Sequence, residues 1–436
     1  MSDKPVITGF GAVSCLGQSS RDMWKALLNG RCGIGPITAF DPAGFPCKIA
    51  GQVTDFNVSK HIPKSYRKNI KIMSRDIELA VAAANEAIIS SGLITRAIDP
   101  EKVNINPTRV GVNIGAGMIS PDLVELAPSV AKSETGGQFD IKKWGKDGLE
   151  LIPPLWLLKY LPNMPACHIS IIHDIQGPSN SITCAEVSSL LAISEAASTI
   201  SRGVCDTILA GGTDVKVNPM SLIRQCLLKR ATTSNNDNPA AACRPFDSGA
   251  KGSVFGDAAG VVVLESPQSA RKRGAKIFAE LAGTGQSSNI NPAYQHLEPD
   301  GKGLTIAIQK ALADASIKAQ DLDLIIPHGL GILADDLAEA KGIEAALGNA
   351  VKNIPVWPTK SMLSNNGAAA GSLDIIAACF AMAEGIIPAA KNCEIKTAGC
   401  NLNISMQTQR KNIRYVLVCG YTFGGQTAAV ILKKPN

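Results

Sequence analysis

The sequence predicts an α/β fold written as two similar halves, each a mainly parallel-type sheet covered by helices. Two observations carry this prediction. Short apolar strands ending in glycine alternate along the chain with alanine- and leucine-rich helical stretches. The strand-and-glycine cadence of Lys4–Ser14 also returns at Lys276–Ser287. A repeat of that length is too long for a solenoid and points to two fused, pseudo-symmetric lobes, 1–265 and 266–436.

The elements pair off in order. Lys4–Ser14 and Lys276–Ser287 each read as a strand leading to a helix. Arg109–Gly115 and Leu322–Gly329 are apolar runs entering glycine turns. Asn180–Glu186 reads as a strand turning sharply into a helix over Val187–Arg202. Pro355–Met362 plays the same part before a helix around Ala368–Ala383. Each of these helices leads to another apolar strand, Asp206–Gly212 and Tyr415–Gly420. The join falls near Glu265–Gly274, where Ser266-Pro267 breaks a strand. The basic run Ala270–Arg273 there reads as a solvated helix face.

Composition narrows the function. With 436 residues, 45% hydrophobic and 18% charged, the chain has enough apolar material for a large core and is not disordered. A net charge of +6 with 4% aromatics lacks the basic stripe and aromatic platforms of a nucleic-acid binder, so no nucleic acid is expected. A local basic patch remains open to an acidic protein partner. The 12 cysteines include no CxxC pair, and the N-terminal residues do not read as an export signal. Reduced thiols and a cytoplasmic location are therefore expected. The longest apolar stretch, Leu373–Ala390, carries Asp374 and Glu384 and reads as a core helix, so no membrane is expected.

A set of motifs carries a family resemblance over nearly the whole chain. They are Val6–Gly11, Gly177–Ile182, Ala210–Gly212, Cys243–Asp247 with Gly256–Gly260, Pro327–Gly329, Thr359–Met362 and Phe423–Gly425. In this order and spacing they resemble a ketosynthase of the thiolase fold, similar to the beta-ketoacyl-acyl-carrier-protein synthase II type. The resemblance implies a layered α-β-α-β-α fold of two repeated halves. It also implies a cysteine nucleophile at a helix N-terminus, two histidines polarising a thioester oxygen, and a lysine holding the network.

The centre of that constellation is altered here. Counting from Gly177-Pro178-Ser179 and back from Ala210-Gly211-Gly212, the nucleophile position falls on Glu186. Cys184 lies two residues earlier, on the incoming strand, and reads as a small buried hydrophobe. The second histidine position falls on Asn365, while the first is kept as His328 and the lysine as Lys360. A carboxylate cannot replace a thiolate toward a thioester, and Asn365 is a neutral, shorter donor. No competent condensing site is expected. Lys360 or His328 is expected to pair with Glu186. Tyr421 falls on the family's aromatic gate, with Phe423 beside it and Thr422 where glycine is usual.

The resemblance narrows to chain-length factors, the ketosynthase-beta subunits of type II polyketide synthases, which lack the cysteine and typically carry glutamine there. It implies an active ketosynthase as heterodimer partner. It also implies an acyl carrier protein whose phosphopantetheine is presented to the complex, with no cofactor or metal bound by this chain. Met118–Met164, with Pro153–Pro162 inside it, is expected to form interface and tunnel wall, and Ser133–Lys146 an exposed loop. Alternatives are a malonyl-carrier-protein decarboxylase supplying starter units and a degenerate scaffold. His168 and His173 flank a predicted strand and read as structural. Gly115-Ala116-Gly117 is too short a fragment for a dinucleotide loop.

Overall fold

Val6–Ser14 (β1) is buried at every position, with no alternation of apolar and polar residues, because both faces of this strand are covered. The same holds for Thr207–Val215 (β4) and Asp257–Glu265 (β5). The computed structural model describes residues 4–289 and 296–435. The other strands of the main sheet are Val110–Ala116 (β2), Ser179–Ile182 (β3), Ala279–Ser288 (β6), Leu324–Ile326 (β7), Pro355–Val356 (β8), Asn403–Ile404 (β9), Tyr415–Tyr421 (β10) and Gln426–Lys433 (β11). Their order is β9-β8-β7-β10-β11-β6-β1-β5-β4-β2-β3. Pairing is parallel at β2/β3, β2/β4, β7/β8, β7/β10 and β8/β9, and antiparallel at the β1, β5, β6 and β11 seams. The sheet is therefore mixed. Its two groups of strands meet where β1 pairs with β6 at Val6/Glu280 and Ile7/Ala279.

The longer helices are Ser20–Leu28 (α1), Arg75–Ser91 (α2), Leu123–Lys132 (α3), Met164–His173 (α4), Ser188–Ser201 (α5), Pro219–Leu227 (α6), Lys302–Ala315 (α7), Leu333–Leu347 (α8) and Ala370–Glu384 (α9). α2 packs on β1 and β5, and α7 packs on β6 and β11. The repeat is visible in these two contacts. A Cβ on Gly11 of β1 would run into the Ala83 carbonyl of α2, and one on Gly285 of β6 into the Ala307 carbonyl of α7. Both strands also shift register at matching points, Ile7/Gly9 and Leu281/Gly283.

α5 and α9 pack against each other, with the Ser189 hydroxyl accepting from the Ser372 amide at 3.1 Å. α9 is buried on nearly all sides, which is why its sequence is apolar all round. The stretch Gly367–Glu384 is long and apolar enough to cross a membrane, yet 89% of it is buried inside the fold. It is a core helix, as its sequence implied. An aromatic cluster beside it stacks Trp24 on Phe380 at 5.5 Å and sets Trp357 edge-on to Trp24.

Several expectations need correction. His168 and His173 lie on a helix, α4, because Pro165 fits a first turn and Asp174 ends it in a left-handed conformation. They are structural: Tyr66 Oη lies 3.0 Å from His168 Nδ1 and Thr95 Oγ1 2.9 Å from His173 Nδ1. Ser133–Lys146 is not a plain loop. It holds a small hairpin, Glu134-Thr135 against Gln138-Phe139, followed by helical turns over Ile141–Gly148. The basic run at the join is solvated only at Arg271 and Lys272. Arg273 forms a bidentate pair with buried Glu265 and donates to the Ser91 carbonyl.

Candidate functional site

β3 ends at Ile182, and a tight turn then leads into α5. Ala185 sits at φ +44°, a left-handed conformation that a non-glycine residue adopts at a cost. The Ser188 hydroxyl fixes the turn, accepting from the Cys184 amide at 2.8 Å and donating to the Ala185 carbonyl at 2.7 Å. The strained turn carries Glu186 into the interior, 4% exposed, where its Oε2 has no hydrogen-bond partner among the described residues. Cys184 stays behind, half-buried, and burial pushes its thiol pKa up. It remains a poor nucleophile.

His328 follows β7 in the loop Pro327–Gly331. Glu339 and Asp336, on α8, hold that loop by its backbone. Glu339 accepts from the His328 and Gly329 amides at 2.7 and 2.8 Å. Asp336 accepts from Leu330 and Gly331 at 2.9 and 3.0 Å. Burial keeps the His328 pKa well below its usual value, helped by the charges of Lys360 and Arg230, so the imidazole is neutral at neutral pH. Its Nε2 has no partner among the described residues.

Asn365 is fully buried. Its backbone bridges to Phe255, its Oδ1 accepts from the Gly367 amide at 3.0 Å, and its Nδ2 has no partner among the described residues. Lys360 opens a short helix, Lys360–Leu363. The expected pairing of Lys360 with Glu186 does not form. Lys360 binds Asp374 on α9, whose other oxygen accepts from Thr359 at 2.6 Å. A closer carboxylate on the packed core helix takes the ammonium. His328 does not pair with Glu186 either.

The charges that face Glu186 are Lys216 and Arg230, which the sequence reading missed. Lys216 pairs with Asp214 at 2.9 Å and lies against Gly367, two residues from Asn365. Burial works against its charge, but Asp214 and Glu186 outweigh burial and hold its pKa above the ordinary value. Arg230 is 1% exposed and bonded to Asp335 at 2.9 Å. Burial opposes its charge too, and Glu186 and Asp335 overcome it. Nothing local marks either residue. The only signal was the acidic pair Asp335-Asp336 at a helix start.

Tyr421 is not in a gate loop. It ends β10, is fully buried, and meets His328 edge-on at 4.8 Å. The turn that follows, Thr422–Gly425, carries Phe423 half-exposed, with the Arg230 guanidinium 4.9 Å over its ring.

The site's chemistry is that of a buried, neutral imidazole and an amide donor beside a carboxylate. The turn into α5 carries a carboxyl side chain at Glu186 and, at Cys184, a thiol whose pKa burial raises. Around Met118–Met164 large apolar side chains face outward, among them Val124 at 81% and Leu157 at 59% exposure, with Ile141, Leu151 and Leu155. β3, at one end of the sheet, exposes Ser179 and Asn180. A cavity of about 560 Å³ lies between Arg75-Asp76, Ser120–Val124 and Val217-Asn218. Gly117 packs against Asp214, a structural contact and not a dinucleotide loop.

Residues 3–270 match the beta-ketoacyl synthase N-terminal domain family, and residues 278–394 match its C-terminal domain. The chain is 34% identical over 433 residues to 3-oxoacyl-acyl-carrier-protein synthase 2 of Vibrio harveyi, covering 98% of each chain. It is similar over the full length of both chains to a solved ishigamide ketosynthase/chain length factor, at 27% identity and a TM-score of 0.84. A beta-ketoacyl synthase from Burkholderia phymatum shares the fold at a TM-score of 0.86 and 24% identity, again over both full chains. With the thiolase-like sheet, the strained turn into α5 and the loop of His328 all in place, this chain belongs to the beta-ketoacyl synthase family.

Proposed function

We propose that this chain is a non-condensing ketosynthase-like subunit of the chain-length-factor type. It pairs with an active ketosynthase and shapes the tunnel that sets polyketide chain length. The observation that carries the reading is Glu186, buried on the turn where an acyl-accepting thiolate is needed, with the neighbouring Cys184 held as a thiol. The outward apolar residues of Met118–Met164 and the bare edge of β3 support a protein partner on that side. The adjacent cavity is consistent with a tunnel wall there. The exposed strip Lys60, Lys64, Arg67, Lys68 and Lys71 offers positive charge to an acidic carrier protein bearing phosphopantetheine.

The test is native mass spectrometry of this chain co-expressed with a ketosynthase encoded beside it, followed by radiolabelled malonyl incorporation. A one-to-one complex with no incorporation by this chain alone is expected. Incorporation by this chain alone at an ordinary ketosynthase rate overturns the reading. A second reading, malonyl-carrier-protein decarboxylation, is favoured by the unpartnered His328 Nε2 and Asn365 Nδ2. Carbon dioxide release that is lost in His328→Ala would favour it.

A further inference from the structure

The cavity of about 560 Å³ is walled by the starts of three helices. Ser74–Asp76 opens α2, Asp122–Val124 opens α3, and Asn218-Pro219 opens α6. The three are 17, 10 and 9 residues long, so each turns the positive end of a full helix dipole toward the cavity. At α3 and α6 the cap side chains take up first-turn amides: Asp122 accepts from Val124, and Asn218 accepts from Met220. At α2 the cap residue is Ser74, and it makes no cap hydrogen bond. Ser74 lines the cavity and is only 7% exposed, and its hydroxyl has no partner among the described residues. A cap hydroxyl lies over the open end of its helix, and a buried one left bare is costly. Its position beside an open volume calls for a ligand that accepts hydrogen bonds.

The charged groups on this wall are Arg75, Lys159, Asp76 and Asp122. Burial and the nearby Asp214 raise the Asp76 pKa to about 8, so at neutral pH this carboxyl is mostly protonated and does not repel an anion. Asp122 is engaged in capping α3. Arg75 shares Glu78 at 3.1 Å, and Lys159 shares Glu125. The attraction for an anion therefore comes from the α2 amides and Ser74, with the two cations in support. Phe40, Met73, Val124 and Val217 make the rest of the wall apolar. The volume is larger than a bare anion needs and lies in the range of small-ligand pockets.

We propose that this cavity binds a phosphate monoester with an apolar body, its phosphoryl group on Ser74 and the N-terminus of α2. A tetrahedral phosphoryl head accepts hydrogen bonds from several directions at once, which suits a hydroxyl and helix amides set around it. The body lies against Phe40, Met73 and Val217. Glu186, His328, Asn365 and Lys360 do not line this cavity, so the inference stands independently of whether the chain condenses.

Isothermal titration calorimetry of the full chain with phenyl phosphate tests it. One site per chain with a Kd below about 1 mM is expected. Inorganic phosphate leaves the apolar wall uncovered and should bind about tenfold more weakly. The neutral 2-phenylethanol should show no binding. Ser74→Asp keeps a good helix cap but sets a negative charge where the phosphoryl group belongs. It should hold or raise the melting temperature and weaken phenyl phosphate by about tenfold or more. Ser74→Ala removes the hydroxyl alone and should weaken it about threefold.

No binding of phenyl phosphate up to about 10 mM overturns the proposal. So does equal binding of 2-phenylethanol, or an unchanged affinity in Ser74→Asp at an undiminished melting temperature. If Ser74→Asp lowers the melting temperature, Ser74→Ala decides, and an unchanged affinity there overturns the proposal as well.

Discussion

At the scale of single residues, the site is held by ion pairs and backbone hydrogen bonds buried in the fold. Lys360 and Asp374 are a buried pair with no solvent to share the charge. Removing one partner leaves the other uncompensated, so Lys360→Met should cost about 3–5 kcal/mol. Lys360→Met with Asp374→Leu should recover most of that loss, and urea denaturation of the two variants checks it. Glu186→Cys places a thiol on the turn into α5 and leaves a neutral amide at Asn365. That variant should remain unable to incorporate malonyl units. Incorporation approaching that of an active ketosynthase would show that Asn365 suffices. Motif spacing singles out Glu186, His328, Asn365 and Lys360 in the sequence, and the structure buries all four. Their partners were not legible there. Asp374, Arg230 and Lys216 are set by packing between distant segments, which no local pattern encodes.

At the scale of elements, the strand-to-helix contacts fix how closely the layers approach. Gly11 and Gly285 meet the carbonyls of Ala83 and Ala307, so Gly11→Val and Gly285→Val should each give insoluble or unfolded protein. Gly35→Ala faces open space and should be silent in a thermal melt. These glycines stood out in the sequence as a repeated cadence, and the cadence proves to be a packing requirement. The reading failed where one apolar run suits either element. Ile169–Ile172 reads as strand by its apolar run, but the helix start at Pro165 and the left-handed stop at Asp174 make it helix. The face around Met118–Met164 yields a further prediction. Val124→Asp with Leu157→Asp places charge on exposed apolar surface, so it should leave the melting temperature unchanged. If that face binds a ketosynthase, the same pair should abolish the one-to-one complex in native mass spectrometry.

At the scale of the whole molecule, burial raises the proton affinity of several interior carboxyl groups, and this sets how stability depends on pH. Burial raises Asp76 and Glu339 to about 8, and Asp257 and Asp336 to about 7. In the unfolded chain such groups titrate near pH 4. The folded state therefore binds more protons than the unfolded one between about pH 4 and pH 8. The stability these groups contribute is complete below that window and is lost as pH rises through 7 and 8. His168 and His173 act with the opposite sign. Burial lowers both to about 4, so their contribution grows between pH 4 and about 6.5 and is constant above it. The two sets oppose each other up to pH 6.5, and above it the carboxyl groups act alone. Stability should therefore fall by roughly 2–5 kcal/mol between pH 6.5 and pH 8.5, seen as a drop in the urea midpoint. Asp76→Asn, whose amide oxygen can still accept from the Val215 amide, should flatten that slope. A midpoint that holds steady or rises over the window would mean that Lys216 keeps Asp76 ionised, and Arg75 Asp257, in the folded chain. In that case the field that holds Glu186 beside Lys216 would be set by ion pairs and not by protonated acids.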